Sequence, residues 1–393
     1  MKYLFFQNPL LVPLALSTLL ASMGTSMANV ALPMIGSAFT ASIAQVRWVV
    51  LAYLIMNTVL GVVVGQLGDS KGHKKLLLMG LSFFVGGCLL GGAAPNLGVL
   101  VLARVIQGMG AAALIVLPMS LVGETLPPEH SGRAIGLLAS MSAIGTATGP
   151  SIGGLLVAEV GWRSVFILMA FIAVLNFYLA HKFIPSSQSK VVGSPAHTIL
   201  KKLSSLLESS SLGAGLVLNA IVATVMMSTL VVGPFFLSET LQLEVRTIGL
   251  AMSVGPVVSI ITGFVGGGFV DRYGSSRVSF IGLSVLLVGS FAYVFAPFAF
   301  GLAGFALSAA VSSIGYQLFQ AANSSEVMRG AAPDKRGVVS GMLGLSRQVG
   351  LVAGALIARA PNMTYLIAAL MVAVALTVLF LNKSKGEVWI KLR

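Results

Sequence analysis

Along this chain, runs of about 20 apolar residues recur, each long enough for a helix to cross the hydrocarbon core of a bilayer. They fall near 10–31, 48–67, 76–94, 98–122, 133–156, 162–182, 212–237, 247–270, 278–296, 300–327, 338–358 and 362–381. None shows the strict alternation of a membrane barrel strand. The pattern therefore predicts an all-α membrane protein with twelve transmembrane helices. With 56% hydrophobic and 9% charged residues, against about 25% charged in a soluble domain, a soluble fold is excluded. The first run is too long for a signal-peptide core and is expected to stay as the first span. Cys88 is the sole cysteine and lies mid-run, so neither a disulfide nor a metal cluster is expected.

The 24 Lys and Arg residues are distributed unevenly. With the N-terminus inside, eighteen fall on the cytoplasmic side, and only Arg47, Arg163, Arg246 and Arg359 on the other. The positive-inside bias places both termini in the cytoplasm. It also accounts for the net charge of +13 as a topogenic signal and a contact with anionic membrane lipids, so no nucleic-acid partner is implied.

A basic turn, Gly65-Gln66-Leu67-Gly68-Asp69-Ser70-Lys71-Gly72-His73-Lys74-Lys75, separates the second and third runs. A second version runs from Gly267 to Arg277. Asp69 and Asp271, Gly72 and Gly274, and Glu124 and Glu326 stand 202 residues apart. Gly132, Gly136, Gly145 and Gly149 return 205 residues on as Gly337, Gly341, Gly350 and Gly354. One six-helix design is written twice. The expected organisation is an N-terminal six-helix domain over 1–182, a cytoplasmic linker over 183–211, and a C-terminal six-helix domain with a short tail over 212–393. Within the linker, Ile199, Leu200, Leu203, Leu206 and Leu207 can form an interfacial helix or belong to a solvated connection. Two such halves suggest a secondary transporter built from repeats.

The residues carry a family resemblance. Gly65-x-Leu67-x-Asp69-x-x-Gly72-x-Lys74-Lys75 resembles the loop signature of the major facilitator superfamily, and Arg104-Val105-Ile106-Gln107-Gly108-Met109-Gly110 resembles its next motif. Gly145-x-x-x-Gly149-Pro150-x-x-Gly153-Gly154 is similar to the signature of its antiporters, chiefly drug:proton exporters. Asn29-Val30-Ala31-Leu32-Pro33, Trp162-Arg163-x-x-Phe166 and Arg347-Gln348-Val349-Gly350 resemble multidrug and siderophore-type exporters usually built with fourteen helices. The resemblance implies two pseudo-twofold six-helix domains, alternating access, and export of a small organic molecule by proton antiport from a bacterial cytoplasmic membrane. A monomer without a cofactor is expected.

The residues themselves suggest roles. Asp69 can face the positive end of a helix from the other half. Lys74 and Glu124 can extend it into an ion-pair latch, mirrored by Asp271, Arg277 and Glu326; alternatively, the lysines only fix topology. The glycines of helix five have the spacing that lets helix backbones touch, and Pro150 permits a kink. That face is expected to meet the other half as a hinge or seal, with plain packing as the alternative. Gly149-Pro150-Ser151-Ile152-Gly153 matches a hydrolase pattern, but that pattern requires a strand-to-helix turn. It reads as chance, and no enzyme is expected.

Arg104 and Arg347 are the only formal charges deep within spans, and burial of each costs roughly 2.5–3.5 kcal/mol on insertion scales. All eleven carboxylates fall in loops or at helix ends. The exporters that this chain resembles commonly carry an aspartate five residues before the Asn-Val-Ala-Leu-Pro run, where Gly24 stands here. Two central cations without a fixed counter-ion can meet an anionic substrate, or can bond backbone carbonyls and neutral side chains such as Asn29 and Gln107. Tyr316, Gln320 and Asn323 share one face of helix ten. Asn29, Arg104, Gln107, Tyr316, Gln320, Asn323 and Arg347 are therefore the candidate substrate pathway. No Gly-x-x-x-x-Gly-Lys-Ser/Thr loop occurs, so energy would come from an ion gradient. The alternative function is a facilitator or exchanger of an organic anion without proton coupling.

Overall fold

The computed structural model describes residues 9–185, 210–330 and 336–391. Among them every regular element is a helix. The first six long helices are α1 (Leu11–Ala38), α2 (Trp48–Lys71), α3 (His73–Gly92), α4 (Leu97–Thr125), α5 (Pro128–Glu159) and α6 (Arg163–Phe183). Then come α7 (Ser210–Phe235), which widens into a π turn over Phe236–Thr240, and α8 (Val245–Tyr273). A 55-residue stretch, Ser275–Arg329, follows before α11 (Arg336–Ile357) and α12 (Pro361–Lys391). The expected interfacial helix around 199–207 lies outside the described residues.

The long stretch is two helices. Gly301 has φ 55° and ψ −132°, a combination open to glycine because it lacks a Cβ. We number 275–300 as α9 and 302–329 as α10. Eleven helices are long and apolar enough to span a membrane when the stretch counts as one. Divided at Gly301, it supplies the twelfth. The break falls inside the run assigned to helix ten, not ahead of it, because hydropathy is blind to where the backbone turns. Side chains such as Phe171, Val288 and Phe300 are 70, 63 and 71% exposed. Such apolar outer faces suit contact with lipid, and the chain is an integral multi-pass membrane protein.

The chain forms two compact units, Met1–Gly193 with Leu243–Ser253, and Ser194–Gln242 with Val254–Arg393. The first turns of α8 thus group with the earlier helices, a detail absent from the expected division at 183–211.

Inside each unit the same close contacts recur. In the first, a Cβ on Gly145 would stand 2.5 Å from the Leu19 carbonyl oxygen, and one on Gly149 would collide with Ser26. In the second, Gly350 and Gly354 of α11 abut the Ala220 and Thr224 carbonyls of α7 in the same way. Small residues let these backbones touch, which takes the place of a hydrophobic driving force between helices in lipid. The glycine face of α5 was expected to meet the other half. Gly145, Gly149 and Gly153 lie instead on α1 of their own unit, with Gly153 next to Met27. Only Gly154 looks elsewhere, onto Gly249 in the first turns of α8.

The second unit's core joins Leu218, Val222, Leu283, Leu286, Tyr316, Phe319, Ala368 and Val372. Next to Phe236, Tyr293 and Tyr365 stack with centroids 4.9 Å apart.

Candidate functional site

The two basic turns are built alike. Gly72 (φ 87°) joins α2 to α3, and Gly274 (φ 82°) joins α8 to α9. In the first turn, α3 begins with His73, which is buried. Its Nδ1 lies 2.8 Å from Glu124 Oε1 at the end of α4. Lys74, expected to pair with Glu124, donates to the His181 carbonyl oxygen at 2.9 Å and ties α3 to α6. The described partner of Glu124 is thus the residue before the one expected. Neighbouring helical residues point about 100° apart, so spacing alone does not choose between them. Gly68 is held close, since a Cβ there would stand 2.7 Å from the His73 ring. Gly65 is roomier, with Val116 at 3.6 Å. The side chain of Asp69 lies outside the described residues.

In the second turn, Asp271, Arg277 and Glu326 are all exposed, and no ion pair joins them among the described residues. The mirrored latch is therefore not formed inside this unit. The bond present there runs from Arg329 Nη2 to Ser275 Oγ, at 3.3 Å.

Among the described residues Arg104 is the largest fully buried side chain. Its Nε donates to the Val49 carbonyl at 2.8 Å, one terminal nitrogen to the Gly24 carbonyl at 2.9 Å, and the other to Gln107 Oε1 at 2.5 Å. The guanidinium sits 4.1 Å above the centre of the Tyr53 ring. Tyr53 in turn donates to the Ala21 carbonyl at 2.7 Å. Gln107 continues the network through Nε2 to Cys88 Sγ at 3.1 Å. Arg104 and Gln107, expected along a substrate pathway, face one another inside the packing of α1, α2, α3 and α4. A charge that costs energy to bury is here fully engaged by carbonyls, an amide and a π face. Gly24 explains part of this arrangement. A Cβ at that position would meet Tyr53 Oη at 2.8 Å, so the tyrosine occupies the room that an acid would need. Tyr53 was missed by sequence reasoning, as one aromatic in an apolar run gives no signal.

Asn29 is buried and donates to the Thr25 carbonyl at 3.1 Å, while its Oδ1 has no partner. In α10, Asn323 donates to the Gly215 carbonyl at 3.1 Å and fastens α7. Tyr316 lies against the second unit's core, with Gln320 Nε2 3.5 Å from its hydroxyl. Gln320 Oε1 and Gln348 Oε1 are buried without partners. Arg347 is exposed, unlike Arg104. At the opposite end of the first unit, Arg163 lies over Trp162 at 4.3 Å and donates to the Ala94 carbonyl at 2.9 Å. Among the described residues no cluster of His, Cys, Asp or Glu could hold a metal ion.

A family model described as Major Facilitator Superfamily matches residues 14–355. A protein named riboflavin transporter RibZ, from Clostridioides difficile (strain 630), is 23% identical over 88% of this chain and 86% of its own length. The multidrug resistance protein Stp of Mycobacterium tuberculosis (strain ATCC 25618 / H37Rv) is 38% identical, over 40% of this chain and 30% of that protein. A tetracenomycin C resistance and export protein of Streptomyces glaucescens is 32% identical over 160 residues, 41% of this chain and 30% of that protein. Among solved structures, the nucleoside transporter NupG superposes with a TM-score of 0.76 at 14% identity, over 95% of this chain and 97% of that one. A bacterial homologue of the human lysosomal transporter Spinster gives 0.76 at 16%, over 95% and 96%. At such identities the two structures speak for the fold alone.

Proposed function

The chain belongs to the Major Facilitator Superfamily of membrane transporters, and from that membership we propose that it exports a small organic molecule by alternating access, coupled to proton antiport. The observation that carries export is the glycine face of α5. Gly145 and Gly149 bring its backbone against α1, in the stretch that resembles the antiporter signature. Relatives named for multidrug resistance and for tetracenomycin C export support the same direction. The substrate is drug-like, siderophore-like or a metabolite, and the working unit is a monomer in the cytoplasmic membrane. Asn29, Gln320 and Gln348, whose side-chain oxygens are unpartnered, and the exposed Arg347 are the groups we assign to the pathway. Asp69, His73 and Glu124 serve as its gate.

A second reading has one observation in its favour. Gly24 provides no carboxylate, Tyr53 fills its surroundings, and every Asp and Glu in the sequence falls in a loop or at a helix end. An exchanger of an organic anion without proton coupling fits that chemistry. Proteoliposomes separate the two. Export predicts that an imposed pH gradient drives accumulation of at least one compound among riboflavin, a cationic dye and an anionic dye. Movement of the anionic dye that ignores the pH gradient but speeds up with an organic anion on the far side would replace the first reading by the second.

A further inference from the structure

Glycine contacts fix which residues of the two units correspond. Gly145 meets the Leu19 carbonyl and Gly350 the Ala220 carbonyl, which matches α1 to α7 at an offset of 201 residues. Gly110 abuts Gly80, and Gly315 abuts Gly282 in the same way. That matches α3 to α9 at 202 residues and α4 to α10 at 205. On this register Leu14, Leu77, Pro118 and Leu121, all buried in the first unit, become Gly215, Ser279, Asn323 and Glu326 in the second. Four apolar positions give way to a glycine and three oxygen-bearing side chains.

The four replacements line one cavity of about 50 Å³, where α7, α9 and α10 meet inside the second unit. Ser279 is 1% exposed and Asn323 5%. The Asn323 amide donates through Nδ2 to the Gly215 carbonyl. A carbonyl can only accept, so Oδ1 is the atom left over. A Cβ on Gly215 would stand 3.3 Å from that oxygen and 2.5 Å from a Val327 methyl, so the glycine keeps the space open. Among the described residues neither Asn323 Oδ1 nor Ser279 Oγ has a hydrogen-bond partner. Glu326 follows Asn323 by three residues on α10 and brings a carboxylate to the same wall. Gly330 also lines it, at the C-terminal end of α10, where the helix dipole is negative. Arg329 is engaged elsewhere, on Ser275 Oγ.

The geometry points to a site for one small monovalent cation, sodium, held by the Glu326 carboxylate, Asn323 Oδ1 and Ser279 Oγ. Buried oxygens without a donor are costly, and a cation satisfies several of them at once. An all-oxygen set suits a hard ion. One carboxylate balances one positive charge, whereas calcium takes about 6–8 oxygens, several of them from acidic side chains. A water fills about 30 Å³ of liquid, so the cavity has room for an ion with a water beside it. It is far below the roughly 300 Å³ at which organic ligand sites begin. An ion there ties α9 to α10, which already holds α7 through Asn323. The site depends neither on the transported substrate nor on the direction of transport.

The test uses the full chain, purified in detergent, with total chloride constant while sodium replaces N-methyl-D-glucamine or potassium. Thermal unfolding and equilibrium binding of radioactive sodium read the site. Sodium is expected to raise the melting temperature with a saturating dependence, more than potassium does, and to bind as one ion per chain. Ser279→Ala removes one ligand without breaking an existing hydrogen bond. It should melt like wild type in N-methyl-D-glucamine and bind sodium about tenfold more weakly, the order of one lost bond to a charged group. Glu326→Gln should abolish both the sodium shift and the bound ion. Equal melting in sodium and N-methyl-D-glucamine would mean that water alone fills the cavity. A sodium effect that survives Glu326→Gln and is untouched by Ser279→Ala would put the ion elsewhere, and equal stabilisation by potassium would mean no site fitted to sodium. Any of these three results would overturn the proposal.

Discussion

Replacing Arg104 by lysine, which keeps the charge, should harm this protein about as much as replacing it by methionine. The reasoning rests on what the guanidinium touches. Three donated bonds, to Val49, Gly24 and Gln107, converge on a side chain without exposure to solvent. A lysine keeps the charge, and with it the penalty of burial, but its single nitrogen cannot span three acceptors on two other helices and its own. Loss of two charge-assisted bonds at about 1.5–3 kcal/mol each amounts to about 3–6 kcal/mol. Methionine gives up all three bonds and the contact with the Tyr53 ring, about 2 kcal/mol for a desolvated pair. It also removes the buried charge, which returns several kcal/mol. At the same value per bond the methionine loss is about 6.5–11 kcal/mol before that return, so the two variants should fall by similar amounts although only one keeps the charge. Cys88 provides the assay, because it is the only cysteine, is buried, and accepts from Gln107 beside this network. A thiol-reactive fluorophore reports unfolding there on heating in detergent. Arg104→Met and Arg104→Lys are both expected to melt well below wild type, with ligand affinity of the folded fraction unchanged. A lysine variant as stable as wild type, or one whose only defect is weaker anion binding, would refute the brace.

Three further outcomes are expected. Gly149→Leu and Gly354→Leu, on equivalent faces of α5 and α11, should each lower thermal stability by at least about 1–3 kcal/mol through overpacking; full stability with either would mean that the backbones are not in contact. Gly24→Ala should destabilise by pressing its methyl on Tyr53 Oη, and Tyr53→Phe should recover part of the loss. If the double variant melts with Gly24→Ala alone, the clash is not the cause. Gly301→Ala places a Cβ on a backbone with φ 55°, at a cost of about 1–3 kcal/mol. An unchanged melting temperature would mean that the break between α9 and α10 tolerates ordinary backbone angles.

The sequence alone determined the number of spans and their repetition, because run length and glycine spacing are properties of the chain that lipid reads directly. It also flagged Arg104 as a charge in need of partners and Gly24 as a missing acid. The partners were a different matter. Gly24 and Val49 receive Arg104 through backbone carbonyls, which every residue has, so side-chain identity gave no hint of them. Lys74 and His73 are adjacent in sequence, yet one turns to His181 and the other to Glu124. That choice depends on the rotation of α3 against α4 and α6. Glu124 and Glu326 match at an offset of 202 residues, whereas Gly110 and Gly315, the glycines that seat α4 on α3 and α10 on α9, stand 205 residues apart, which makes Arg329 the positional counterpart of Glu124. Hydropathy reports how long a helix can be. How two helices are turned against each other follows from which small residues let their backbones meet, and that is settled only when the helices pack.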